Sequence, residues 1–294
     1  MRRPDRALLV GALAATVLAL PRIAGAYCRT SVCEASYTAT LCAPPSPDDC
    51  GVPLFWAKPC PGFWVQRDAS TQVDWPTVDA IAAASFATWA NADCGNGMHP
   101  LIAPVDMGPV SCSAREYNQS GGNASVIVFR DVEWPYTGQG STLALTTVTF
   151  NLDTGEIYDA DLEVNGANIE ITTGDVGVKY DLASILTHEA GHFLGLAHSP
   201  VAGATMAIEY FPGDTGLRSL STDDAAGICA AYPPGPDPGA CDSTPRHGFK
   251  DDCGPGDPPD EGCAVDRTPG TGGAGGAALV ALAATVLAVR RRRR

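Results

Sequence analysis

The feature that most constrains this 294-residue chain is the spacing of three of its five histidines. His188 and His192 are four residues apart and His198 follows six later, with Glu189 beside the first and Gly195 between the last two. On a helix, positions i and i+4 share one face about a turn apart, so the first two imidazoles can reach one point. A straight helix carries residue i+10 away from that point. Glycine at 195 accepts the left-handed backbone that ends helices, which lets the chain turn back and bring His198 to the same place. Three nitrogen donors and one open position suit a catalytic zinc ion. Water at such a site is acidified toward pKa ~7, and Glu189 is placed to take its proton and return it to a leaving amine. Ile185, Phe193 and Leu194 make the helix largely buried, where clustered histidines are costly unless they bind something.

The rest of the core follows from caps and periodicity. Asp181 caps the histidine helix. Asp74 caps an earlier one, with Pro76 in its first turn and Val78, Ile81, Ala82, Phe86 and Trp89 on one apolar face. Residues 63–66, 125–129 and 143–150 read as strands. A turn at Asp153-Thr154-Gly155 leads into the alternating stretch 156–164 as a hairpin partner. Ser221 and Asp224 form a capping box for a last helix. Residues 61–234 are long enough for one core. Before them, 27–60 are rich in Cys and Pro and read as a disulfide-stapled lead. After them, the Pro/Gly/Asp-rich stretch 235–276 reads as a linker with room for one small disulfide loop.

The ends read as processing signals. Arg2, Arg3 and Arg6, an apolar run over 7–20 and Ala24-Gly25-Ala26 make a secretory leader over 1–26. At the other end, 277–294 combine a short apolar helix with five arginines, marginal for the ~20 residues a bilayer span needs. With Cys263 nearby, this tail resembles the tripartite sorting signals of myxobacterial surface proteins; a plain membrane anchor is the alternative. Export agrees with eleven cysteines, which imply disulfides. Setting Cys263 aside leaves ten for five bridges, with Cys94–Cys112 and Cys241–Cys253 the expected local pairs. The net charge of −14 becomes −22 once the +3 leader and +5 terminal arginines are removed. That acidity excludes nucleic acid as a partner and leaves membrane contact to the tail.

The pattern His188-Glu189-x-x-His192-x-x-Gly195-x-x-His198 resembles the metzincin signature, and its surroundings resemble the matrixin branch. Ser199 follows the third histidine, Met206 lies eight residues beyond it, and Tyr210 lies four further on. Residues 220–228 and 86–89 resemble matrixin helices, and the likeness covers roughly 54–234. It implies an α/β (α+β) fold with a twisted mixed sheet of about five strands and three main helices. It also implies Met206 as a Met-turn beneath one catalytic zinc, and Tyr210 in the S1′ pocket. Protein or peptide substrates would pair with the edge strand at 143–145. The chain departs from the family at Ile208, where a proline is usual. It departs again at Leu145 and Ile157, which take two places where matrixins hold a second zinc. Asp159 matches a calcium carboxylate, with Asp153 and Asp161 nearby; a Ca2+ site and a solvated acidic turn are both open. Cys50-Gly51-Val52-Pro53 resembles the cysteine that blocks zinc in matrixin proforms, although no helical prodomain precedes it. Two functions are expected to compete: a secreted or surface-tethered zinc endopeptidase, and a zinc-stabilised cell-surface binding or adhesion module without turnover. A monomer is expected.

Overall fold

Five strands carry the molecule: β1 (Gly62–Gln66), β2 (Val105–Val110), β3 (Val126–Phe129), β4 (Ala144–Asn151) and β5 (Ile157–Val164). A sixth, β6 (Ala283–Val289), comes from the C-terminal end and completes the order β6-β4-β5-β3-β1-β2. This computed structural model describes residues 27–32, 51–136, 142–236, 241–253, 280–281 and 283–289. The sheet is mixed. β1 runs parallel to β2 and β3, and β3 parallel to β5, whereas β4 is antiparallel to β5. The five-stranded mixed sheet with three helices anticipated from the sequence is therefore present, with one strand added.

The helices form where their caps place them. Asp74 accepts from the Thr77 amide at 2.9 Å and starts α1 (Trp75–Ala90). Asp181 accepts from the Ser184 amide at 2.8 Å and starts α2 (Leu182–Phe193). The reciprocal Ser221–Asp224 box starts α3 (Thr222–Ala231). Val78, Ala82, Phe86 and Trp89 form the buried stripe of α1, the spacing of an amphipathic helix. Phe86 stacks on Phe63 of β1 and meets Phe193 of α2 edge-on, with ring centroids 4.2 and 4.9 Å apart. Trp89 Nε1 donates to the Thr187 carbonyl at 2.7 Å, locking α1 to α2. The main core thus joins α1 and α2 to one face of the sheet through Phe63, Val65, Ile127, Val148 and Leu162. The opposite face has a smaller apolar cluster around Trp64, Val110, Val126 and Val128.

Four expectations need correction or placement. First, the local cysteine pairs do not form. Cys94 bonds Cys229, Cys112 bonds Cys253, and Cys241 bonds Cys60. The end of α1 lies beside α3, and the C-terminal segment folds back over the sheet, so distant cysteines meet where near ones do not. Second, part of the expected linker is docked. Within 241–253, Phe249 stacks on Trp64 at 5.0 Å, Asp242 pairs with Lys58, and Phe249 bridges Asn123. Its two disulfides supply the order that composition alone does not. Third, the tail is extended where it is described, not helical. Val280–Ala281 pair antiparallel with Glu209–Tyr210, and β6 lies parallel along β4 from Leu145 to Asn151. β-branched residues at 280, 285, 286 and 289 favour strand, and the free edge of β4 offers unpaired backbone groups. No helix among the described residues is long and apolar enough to cross a membrane. Fourth, β2 was not anticipated, because Gly108 and Pro109 interrupt its pattern. The leader, Cys50 and Cys263 lie outside the described residues.

Candidate metal centre

The histidine helix ends as its glycine suggests. Gly195 has φ +85°, and its amide donates to the His192 carbonyl at 2.9 Å. A Cβ at 195 would come within 2.7 Å of the Leu54 carbonyl oxygen, so a side chain is excluded by both conformation and space. The chain reverses there and brings His198 back. His192 Nε2 lies 3.1 Å from His188 Nε2 and 3.2 Å from His198 Nε2. His188 and His192 are buried, and His198 is half-buried.

The other ring nitrogens decide what this convergence means. His188 Nδ1 lies 2.6 Å from the Thr205 carbonyl, and His192 Nδ1 lies 2.9 Å from the Leu196 carbonyl. A carbonyl only accepts, so both Nδ1 atoms carry the proton. Both Nε2 atoms are then bare lone pairs facing each other at 3.1 Å, which is repulsive without a cation between them. Burial also holds both imidazoles in their neutral form, His192 down at about 4 and His188 well below its ordinary value. Nitrogens on one tetrahedral zinc at about 2.05 Å stand about 3.3 Å apart. The donor set therefore fits zinc in type, protonation and spacing. The carbonyl partners are those that orient metal-binding histidines in general.

Glu189 is fully buried. Its Oε2 accepts from Thr146 Oγ1 at 2.5 Å, whereas Oε1 has no protein partner. Burial pushes this carboxyl up to about 8, against hydrogen bonds from Thr146 that pull it down. Below the site, Met206 packs against α2 where a side chain at Gly191 would collide with its sulfur and with the Trp89 ring. Asp224 fixes that turn, accepting from the Thr205 and Met206 amides at 2.7 and 3.0 Å while also capping α3. One carboxylate thus holds the carbonyl that orients His188. Tyr210 is buried; its hydroxyl accepts from the Asp181 amide at 3.0 Å and donates to the Asp214 carbonyl at 2.6 Å.

The three histidines, Glu189 and Met206 are thus brought together. Of the three aspartates, Asp159 and Asp161 lie side by side with a hydrogen bond between their carboxyls, and Asp153 stands apart from them. Asp153 lies in the turn after β4, while Asp159 and Asp161 are buried on β5. Among the described residues, two groups place three potential ligand atoms within 4.8 Å of one another. One is the histidine trio. The other is Cys112, Glu116 and Cys253, whose sulfurs are joined to each other. Sequence reasoning missed Thr146, Thr205 and the full role of Asp224. The signal for Thr146 was a hydroxyl between Ala144 and Val148, at a core-facing position of a strand.

Residues 123–233 match the matrixin family model. Over this stretch the chain is similar to the matrixin family. It is 35% identical over 106 residues to metalloendoproteinase 1-MMP of Arabidopsis thaliana, covering 35% of this chain and 27% of that protein. Neutrophil collagenase of Homo sapiens is 29% identical over 167 residues, covering 56% and 31%. Interstitial collagenase of Equus caballus is 48% identical over 59 residues, covering 20% and 12%. The chain thus spans less than a third of the length of each of these relatives. The matched stretch holds β3 to β5, α2 and α3; β1, α1 and β2 precede it and complete the matrixin-like sheet and core.

Proposed function

We propose that the chain is a zinc-dependent endopeptidase, exported through its leader over 1–26 and working outside the cytoplasm, free or tethered by its tail. The observation that carries this reading is the convergence of three Nε2 atoms, two of them fixed as bare lone pairs, beside a buried carboxylate with one unpartnered oxygen. His188, His192 and His198 would hold the ion. Zinc, when bound, acidifies water and polarises a carbonyl. Glu189 serves as general base through Oε1, taking a proton from the attacking water and delivering it to the leaving amine. Met206 supports the floor of the site, and Tyr210 stands by the wall where the first residue after the cut would lie.

A second reading, a zinc-stabilised surface module without turnover, is favoured by one observation. From Leu145 to Asn151 the edge of β4 is taken by β6 of the same chain, which meets the expected substrate stretch 143–145 at Leu145. Glu189→Gln separates the two readings. The zinc-loaded wild type is expected to cut a denatured protein, and the variant to retain zinc while losing about 10²–10⁴-fold in rate. Full zinc occupancy with no cleavage by the wild type would establish the second reading instead.

A further inference from the structure

We infer that Thr146 is a positioning residue for Glu189, holding one carboxylate oxygen so that the other is left for chemistry. This inference rests on the hydrolytic reading above. Thr146 lies on β4, fully buried, with its side chain on the same face as Ala144 and Val148. Its hydroxyl has one proton to give and two acceptors in reach, Glu189 Oε2 at 2.5 Å and the Glu189 carbonyl at 3.3 Å. The carbonyl oxygen is the weaker claimant, both longer and uncharged, so the proton goes to the carboxylate.

The consequence is an asymmetry within one side chain. Glu189 Oε2 is committed, and Oε1 is buried with no hydrogen-bond partner. Burying a carboxylate oxygen unpaired is costly, and a flexible glutamate would relieve the cost by rotating. Threonine is stiff at χ1 because it is β-branched, and here it stands on a strand paired through Leu162 to β5. The sheet, through one hydroxyl, therefore fixes the rotation of a carboxylate that belongs to the helix. Sheet and helix are separate elements, so only a side-chain contact of this kind can set the carboxylate relative to both. Preorganisation of this sort lowers the reorganisation needed when a proton is transferred.

The test compares Thr146→Val, which keeps the shape and removes the hydroxyl, with Thr146→Ser, which keeps the hydroxyl and removes the methyl. Full-length zinc-loaded protein is used throughout. Thr146→Val is expected to retain zinc stoichiometry, and to lose about 10- to 100-fold in kcat with KM nearly unchanged. Thr146→Ser is expected to recover most of that loss. A Val variant within twofold of wild type overturns the inference, and so does a Ser variant as impaired as Val, since packing and not the hydroxyl would then matter. If the Val variant does not fold, Thr146→Ala against Thr146→Ser makes the same comparison. A second readout does not depend on turnover: the side-chain carboxyl carbon resonance of Glu189, assigned by its loss in Glu189→Gln. Its displacement in Thr146→Val, restored in Thr146→Ser, supports the inference even if the wild type cuts nothing. An unmoved resonance overturns it while leaving the endopeptidase reading to its own experiment.

Discussion

The two faces of the sheet are held by different physics, and β5 shows both within eight residues. Toward the helices it presents Ala160, Leu162 and Val164 to the apolar core. Toward the other side it presents Asp159, Asp161 and Glu163, all buried. There Asp159 and Asp161 hydrogen-bond each other, and each of the three carboxyls has a further partner. Asp159 accepts from Ser125 Oγ at 2.8 Å. Asp161 accepts from the amides of Val126 and Glu116 at 2.9 and 3.1 Å. Glu163 pairs with Arg130 and accepts from the Tyr136 hydroxyl. The helix face is stabilised by area removed from water, which is non-directional and tolerant of shape-conserving change. The far face depends on particular donors and on the Cys112–Cys253 bridge, so each partner is separately necessary. The histidine cluster resides on the tolerant face, and the Cys112–Cys253 bridge reinforces the demanding one.

Four measurements would break or sharpen that contrast. The largest effect is expected from replacing Cys112 and Cys253 together with alanine. Losing a native bridge costs about 2–5 kcal/mol, read as a lower urea midpoint, with the histidine site still able to take zinc. A comparable loss of zinc affinity would mean that the faces are not independent. Next, Leu162→Ala should cost about 2–5 kcal/mol through a cavity, and Asp161→Ala about 2–4 kcal/mol by stranding the buried Val126 amide and the part-buried Glu116 amide. Adjacent faces would thus fail to similar extents for unrelated reasons.

A smaller and more diagnostic effect concerns pH. Burial pushes the Asp159 carboxyl up to about 7, against a hydrogen bond from Ser125, and burial beside Asp159 raises Asp161 as well. A raised acid binds its proton more tightly in the folded state than in the unfolded one. Its stabilisation is therefore complete below about pH 4 and is lost as pH rises through about 7. The stability of the wild type relative to Asp159→Asn should decline from pH 5 to pH 8, whereas Leu162→Ala should track the wild type at constant offset. A flat wild-type-to-Asn difference would show that the Asp159–Asp161 pair does not carry the proton. The smallest stability effect is expected on deleting residues 277–294, whose described part pairs only at the sheet edge and with Glu209–Tyr210. If substrate uses the edge of β4, the same deletion should raise the rate of peptide cleavage.

Legibility in the sequence divides along the same line. Asp74, Asp181 and Ser221 announced their helices because capping is local chemistry. Gly195 announced its reversal because a single backbone conformation demanded it. The converging histidines were readable because helical periodicity fixes which side chains meet. The far face was not readable. The segment 241–253 looks like a linker, since nothing in its composition reveals that Trp64 and Lys58 wait for it. Cysteine pairing is likewise a property of the folded path, so Cys94 found Cys229 and not the nearer Cys112. Thr146 lay between these cases: its anomaly was visible as a hydroxyl among core residues, but its partner stands 43 residues away on another element.

The bridges Cys60–Cys241, Cys94–Cys229 and Cys112–Cys253 close over separations of 181, 135 and 141 residues. A chain made from its amino terminus cannot complete any of them before residue 229 has emerged. Everything built earlier, including the histidine helix, must wait with its far side unsealed. Maturation is thus timed by the last quarter of the polypeptide, and a ribosome-stalled or truncated product would be left with reactive thiols at 60, 94 and 112 and an incompletely covered sheet.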